Sequence, residues 1–567
     1  RVKIDRHLGI YREVMSNTPY SYVYGDNITY SGNNIDRVGY GPGVLIGKNA
    51  NNNPYAGPLD CQQNGSSYPE SNYNTRLYFT TPDGSEIQLH DKKYNGSIFI
   101  RHPCAYSIPM RNRGKVFVSD DGESITFISD NDITDFGQNV PNNEFFPSGY
   151  LLMSDGSRYR MDGGKVSWIR DRNGNQTTFT YESTSSWRLV SAKDSLNRQV
   201  TITYNDTLGT YDEISYKGFG GVSRSIKIWH QAMHSVLRPD CTIQKANQLF
   251  PEVYIISNSW TGNWDFDMPV VSKVDLPDGR SYQFYYNSYG EIARIILPTG
   301  GGMDYTQGPA DPSLSGSYGG AANTTVLRRV TQRTTYSALA PTALPANTSS
   351  GNVERIEKFI KEGTWSAAPT IVRLETRAPD SVNTLLTQSK VYYNGTGVDS
   401  FTSTAGPADF DSWTASKEYK NEIYNVVSGV AGSVLRATDT TWGPNTSCNC
   451  PAPNPHIDQI VATLADTNQV SKQTFSYDLY NNKTDTYEYD YGAGAAPSTP
   501  IRRTHTDYLT SSGYDTVVGG ITAPDAASTI HIRNLPTQQI VYDGSVVKSR
   551  TVFEYDIYTN LASHAPL

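Results

Sequence analysis

At 567 residues the chain is too long for one compact core, which leaves about three or four domains or one extended repeat array. A composition of 37% hydrophobic, 11% aromatic and 18% charged residues, with 40 Tyr, 47 Gly and 31 Pro, suits many short strands punctuated by turns and argues against an all-helical fold. The net charge of −8, without a long basic or acidic run, argues against nucleic-acid or anionic-membrane partners, and no apolar run approaches the length of a membrane-spanning helix.

The first residues, "RVKIDRH", carry neither an initiator Met nor an apolar signal region, the form of an internal piece or of a chain that has lost a targeting segment. Residues 1–74 are rich in Asn, Gly and Tyr, with short strands such as "SYVYG" and "GVLIG", and are expected to form an irregular N-terminal β cap. Asp-Gly pairs at Asp83-Gly84, Asp121-Gly122 and Asp155-Gly156 then mark tight turns, because Gly supplies the positive φ that such turns need.

A hairpin array is expected over residues 75–307. Its clearest copies are "DRNGNQTTFTY" at 171–181 and "DSLNRQVTITY" at 194–204, the same skeleton after 23 residues. In each, a turn leads into a strand of period two. Thr177, Phe179 and Tyr181 point one way in the first copy, and Val200, Ile202 and Tyr204 do so in the second, with threonines between them. A third copy follows "LPDG" and brings Tyr282, Phe284 and Tyr286 to the same positions; a fourth, "LPTGGGMDYTQ", begins at Leu297 and ends on Gln307 where a tyrosine is expected. One cross-strand pair contributes only ~0.2–1 kcal/mol, so such hairpins must stack side by side to persist.

An excursion is expected at about 220–268, around "SRSIKIWHQAMHSVLRPD". Residues 308–350 read as loops around one short strand, "TVLRRVTQRTTY". Residues 351–567 read as longer, less regular β repeats ending in Tyr-Asp motifs, among them Tyr477-Asp478 and Tyr555-Asp556.

Candidate chemistry is sparse. His230 and His234 in "HQAMH" would share a helix face, but Gln231 stands where a zinc peptidase needs its glutamate. Asp171, Asn173 and Asn175 offer oxygens to calcium, yet the equivalent turns lack them. Cys448 and Cys450, with His456 nearby, lack the further ligands that zinc requires. No catalytic residue, cofactor or metal is expected.

Strands that end in Tyr-Asp or Tyr-Asn after Asp-x-x-Gly-like turns, from about 150 to 307 and again from about 470 to 567, resemble those of RHS or YD-repeat proteins. The resemblance implies an all-β fold, a spiral or shell of stacked β-hairpins, in secreted or cell-surface proteins, some of which enclose a C-terminal toxin. The Pro-rich motif that closes toxin-bearing shells is absent here. The expectation is therefore a non-enzymatic extracellular structural protein whose partner is itself, joined head to tail into a filament. The alternatives are the shell portion of a secreted toxin, and an adhesin or glycan-binding module; no nucleic acid is expected as partner.

Overall fold

The computed structural model describes residues 41–52, 59–63, 66–69, 71–82, 86–97, 99–101, 109–119, 124–135, 144–183, 188–205, 207–249, 265–309, 328–345, 352–363, 369–394, 417–444, 455–509 and 530–555. The turns at Asp83-Gly84 and Asp121-Gly122, the cysteines Cys448 and Cys450, and Asp556 lie outside them.

The fold is all-β, with neighbouring strands antiparallel. It begins as a ring of eight strands: Val44–Asn52 pairs with Ser71–Thr80, and the order continues through Glu86–Asp91, Asn112–Ser119, Thr126–Thr134, Gly149–Leu152, Arg158–Asp162 and Lys165–Arg170. The last strand meets the first where Val44 faces Lys165 and the Leu45 N–H reaches the Gly164 carbonyl at 2.8 Å. A ring of this strand number is just wide enough to be filled by side chains. Here Leu45, Leu77, Phe79, Leu89, Phe117, Phe127, Leu151, Met161 and Val166 fill it. The ring also buries the Arg113 guanidinium completely, against Asp91 at 3.0 Å and Asp135 at 2.8 Å, with the Ser97 and Tyr73 carbonyls taking further N–H groups. A buried charge is tolerable only when its donors are satisfied in this way.

Strand Lys165–Arg170 is the branch point. Lys165 pairs with the ring's first strand, while Trp168, Ile169 and Arg170 pair with Gln176–Tyr181, and the sheet peels away. From there each strand pairs with its predecessor and successor as far as Lys483–Glu488, and the sheet ends with Arg502–Tyr508, Pro536–Asp543 and Val546–Val552. Register keeps the two faces distinct. Phe179 faces Ala192, Ala192 faces Val200 and Val200 faces Tyr216 on the side continuous with the ring interior, while Thr178, Ser191, Thr201 and Ser215 lie on the other.

The stretch expected as an excursion from about 220 is narrower than that. Ser223–Ala232 is a full strand between Tyr211–Lys217 and Pro269–Asp275, and the chain leaves the sheet only at the 3-10 turn Met233–Val236. Met233, Val236, Leu249, Phe266 and Met268 then pack onto Phe284, Tyr286 and Ile292. The boundary expected at residue 74 falls inside a strand, Ser71–Thr80. On the opposite face, Leu339 and Ala343 cover Ile296, Tyr336 and Ile356. Arg294 holds that cover: its side chain pairs with Asp304 at 2.7 Å and donates to the Ala340, Pro341 and Ala343 carbonyls.

Beyond Ile356 the sheet changes character. Every residue of Pro455–Leu464, and nearly every one of Gln469–Tyr477, is half-buried, so this part of the wall is one layer thick with both faces open. The spiral then returns to its start. Residues 530–535 lie against the ring's hairpin ends: the His531 ring bonds the Met153 carbonyl and the Thr126 hydroxyl, the Arg533 N–H reaches the Ser154 carbonyl at 3.0 Å, and the Ser124 hydroxyl donates to the Tyr480 carbonyl at 2.8 Å. We refer to this contact as the seam. The first described strand lies inside the closed ring, whereas the last, Val546–Val552, pairs with Pro536–Asp543 alone among the described strands.

Candidate functional site

The tyrosines singled out by the repeat perform one recurring task. The Tyr181 hydroxyl donates to the Val166 carbonyl at 2.9 Å, Tyr204 to Leu189 at 3.0 Å and Tyr286 to Val271 at 2.7 Å, each reaching back 15 residues to the start of its own hairpin. Tyr477 does the same to Ile457 at 2.9 Å and Tyr555 to Pro536 at 2.8 Å, across longer hairpins. Burial raises the Tyr181 phenol above its ordinary range and pushes that of Tyr477 to about 12, so both remain protonated donors. A basic side chain covers two of the rings, Lys165 over Tyr181 and Arg188 over Tyr204.

Gln307, the apparent departure in the fourth copy, belongs to the same set. Its side-chain amide donates to the Ile292 carbonyl at 2.7 Å, again 15 residues back. Tyr508, which the repeat pattern did not mark, donates to Lys483 at 3.3 Å. The remaining marked residues are packing positions: Ile202 is buried, Phe179 packs against the ring core, and Phe284 joins the central cluster and stacks on Tyr282 at 6.5 Å.

The turns share one backbone design. In the turns that start at Asp171, Asp194, Asn287 and Asp478, the first residue's N–H bonds the fifth carbonyl and the fourth N–H bonds the first carbonyl. The fourth residue has positive φ: Gly174 at 86°, Asn197 at 62°, Gly290 at 73° and Asn481 at 66°. This is a type I turn closed by a left-handed residue, the common three-residue hairpin connection. The first side chain caps it, with one Asp478 oxygen accepting the Tyr480 and Asn482 N–H groups at 2.9 Å each. A turn that the repeat reading missed, Asp380-Ser381-Val382-Asn383, copies Asp194-Ser195-Leu196-Asn197 almost letter for letter and is capped in the same way. Burial alone would raise Asp171, but bonds from the Asn175 side chain and from the Asn175 and Asn173 backbone outweigh it and hold the carboxyl below its usual range. Both Asp171 oxygens thus accept bonds from within the turn itself.

The histidine pair does not lie on a helix. His230 is in a strand and bonds Asp212 at 3.0 Å, whereas His234 is in a 3-10 turn and bonds Asp267 at 2.6 Å. His505 sits between two carboxylates, Asp485 at 2.8 Å and Asp507 at 3.0 Å, but they bind opposite ring nitrogens and so cannot converge on one ion. His456 bonds Asp458 at 3.0 Å and packs against Tyr477. Among the described residues no group of three or more His, Cys, Asp or Glu side chains is placed to hold a metal, and no helix is long and apolar enough to cross a membrane.

Two features outside the repeat positions bring functional groups together. Glu422 accepts from the Tyr392 and Tyr424 hydroxyls at 2.7 Å each and pairs with Lys420 at 2.7 Å. Burial opposes its charge, yet the bonds from Lys420, Tyr424 and Tyr392 lower its pKa to about 2. The second is a shallow cavity of about 420 Å³ beside Tyr211 and Trp229, whose rings lie 4.7 Å apart. Neither presents a nucleophile beside a base.

No family model and no curated protein matches the chain. Among solved structures it is similar to a porin-like protein from Bacteroides uniformis, at 8% identity and a TM-score of 0.19, over 48% of this chain and 92% of that one. It is also similar to a chain of the Photorhabdus luminescens Tc holotoxin pore (9% identity, TM-score 0.13, 78% of this chain and 26% of that one). A TcdB2-TccC3 structure aligns at 10% identity and a TM-score of 0.13, over 86% of this chain and 27% of that one. The chain thus spans about a quarter of the length of each of those two toxin chains. TM-scores this low relate no whole fold to another.

Proposed function

We propose that the chain is a non-enzymatic structural β-shell of the RHS/YD-repeat kind, working outside the cell and joining end to end with copies of itself. The observation that supports this reading is the clamp: the residues that define the repeat hold adjacent strands together, from Tyr181 to Tyr555, instead of converging on a reactive centre. Self-association has a physical basis in strand Val546–Val552. It pairs with Pro536–Asp543, every one of its residues is exposed, and an exposed strand edge is a template for another strand.

Electron microscopy and sedimentation of the purified chain over a wide concentration range test the proposal. Threads that Val547→Lys shortens or abolishes are the expected result, and a wild-type chain that stays monomeric at every concentration removes the assembly step. The seam favours a second reading, the wall of an enclosing toxin shell, because a spiral that grips its own start can surround a volume. Closed, hollow particles holding a folded polypeptide would select it.

A further inference from the structure

We propose that the adjacent hairpin tips bearing Leu196 and Phe219 dip into the surface of an anionic lipid bilayer. The tips are neighbours because the strands behind them are. The turn at 194–198 is tied to the strand that follows the turn at 171–175 through the Ser195 hydroxyl, which accepts from the Gln176 N–H at 2.6 Å and donates to the Gln176 carbonyl at 3.1 Å. Val200 faces Tyr216, and continuing that register outward brings Arg198 level with Gly218, so the glycine turn at 218–222 stands beside them. On this rim Phe219 is fully exposed, Leu196 is 72% exposed and Val222 58%. One exposed apolar side chain is ordinary, whereas three on neighbouring turns form a patch. The backbone behind them suits shallow insertion, because groups that enter lipid need partners within the chain. The Leu196 and Arg198 N–H groups bond one Asp194 oxygen at 2.9 Å each, and the Asn197 N–H bonds the Asp194 carbonyl at 3.0 Å. Across the glycine turn, the Gly218 N–H reaches the Val222 carbonyl at 2.8 Å and the Gly221 N–H reaches the Gly218 carbonyl at 3.1 Å.

The charges behind the tips select the kind of surface. Arg172, Lys193, Arg198, Lys217 and Arg224 are all exposed there. The carboxylates among them are Asp171 and Asp194, whose oxygens accept bonds from within their own turns. On the adjoining turns, Asp278 pairs with Arg280 at 2.6 Å and Asp155 caps the Ser157 N–H at 2.8 Å. Cations therefore outnumber carboxylates along this stretch, an excess that the net charge of −8 averages away over the whole chain. Lys217 precedes Phe219 by two residues, and Arg224 follows Val222 by two. At ~3.3 Å per residue these cations sit ~7 Å behind the tips, level with the lipid phosphates when apolar side chains are buried ~5–10 Å into the acyl boundary. A bilayer suits separate, convex tips better than a protein partner does, since a protein interface needs a continuous packed area of about 800 Å² per side. The property goes beyond the structural role and does not depend on assembly through Val546–Val552.

Co-sedimentation of the full chain with vesicles of phosphatidylcholine, alone or mixed with phosphatidylserine, tests the inference. Saturable binding to the mixed vesicles, weakened by added salt, is expected. Phe219→Ser should weaken it about tenfold and Lys217→Gln about fivefold, the worth of one buried aromatic ring and of one cation at an anionic surface. Leu208→Ser, in the turn at the opposite ends of strands Gln199–Thr203 and Tyr211–Lys217, should leave binding unchanged. Val547→Lys should also leave it unchanged, which separates this property from self-association. Phe219→Trp should add indole fluorescence that lipids brominated high on the acyl chain quench, whereas Leu208→Trp should not. Thermal melts confirm that the variants fold. No binding to the mixed vesicles, equal and salt-insensitive binding to phosphatidylcholine alone, or undiminished binding by Phe219→Ser would each overturn the inference. So would a chain that ignores vesicles but loses self-association on Phe219→Ser, a result that assigns the tips to a second copy.

Discussion

A phenol that reaches back 15 residues to a carbonyl ties the end of one strand to the beginning of its partner, where a hairpin would otherwise fray. Replacing it isolates that tie. Tyr204→Phe keeps the ring and removes that donor from the carbonyl of the buried Leu189, and should cost about 1 kcal/mol, read as a lower urea midpoint at unchanged slope. Gln307→Leu should behave alike, because there an amide does the work of the phenol. The tyrosine positions were legible as a repeat. The role of Gln307 was not, since a repeat read by letter conceals two side chains that donate from the same place. Glu422 supports a second prediction at this scale. Its carboxyl titrates near 2 in the folded chain against 4.5 for the ordinary group, so the unfolded chain binds its proton first as pH falls. Stability from this group is complete above pH about 4.5 and drains away towards pH about 2. Urea midpoints measured between pH 5 and about 2.5 should fall less steeply in Glu422→Gln than in the wild type.

Turn chemistry governs the elements. Four turns place Gly or Asn at the one position with positive φ, and Asp or Asn at the position that caps. At Gly174, with φ of 86° and open space where a Cβ would go, Gly174→Ala should cost only the backbone penalty of about 1 kcal/mol, whereas Asn197→Gly should be neutral or slightly stabilising. Thermal melts of the two variants check both signs. The strand Ser223–Ala232 shows why one element was misread: its hairpin turns through Gly218, Gly220 and Gly221 with no Asp cap, so the repeat's letters vanish although the alternation of Ile226 and Ile228 with Lys227 persists. The histidine spacing beside it suggested a helix, but strand pairing with Pro269–Asp275 overrode that periodicity.

For the whole molecule, the decisive contacts join Ser124, Thr126 and Met153 to residues more than 350 positions further along the chain. Arg533 donates to the Ser124 carbonyl, and it is tied to the nearer turn at 478–482 as well, where its guanidinium covers the Tyr480 ring at 4.8 Å and its own carbonyl accepts from Asn482 at 2.6 Å. Arg533→Ala should therefore raise amide hydrogen exchange both at 124–126 and at 478–482 while leaving the hairpins at 166–204 unchanged, which a purely local defect would not do. His531, buried between the Met153 carbonyl and the Thr126 hydroxyl, is the other half of that grip.

By itself the sequence determined the hairpin: its capped turn, its two unlike faces, and the tyrosine that ends it. Each of these depends on residues within about one strand and turn of one another, where backbone sterics and side-chain reach act alone. Tertiary structure alone decided that the first strands close into a filled ring, that separate segments cover opposite faces near residues 286 and 296, and that the far end of the sheet returns to Ser124 and Met153. These depend on twist summed over more than twenty strands, to which every pair contributes a little and which no single stretch encodes.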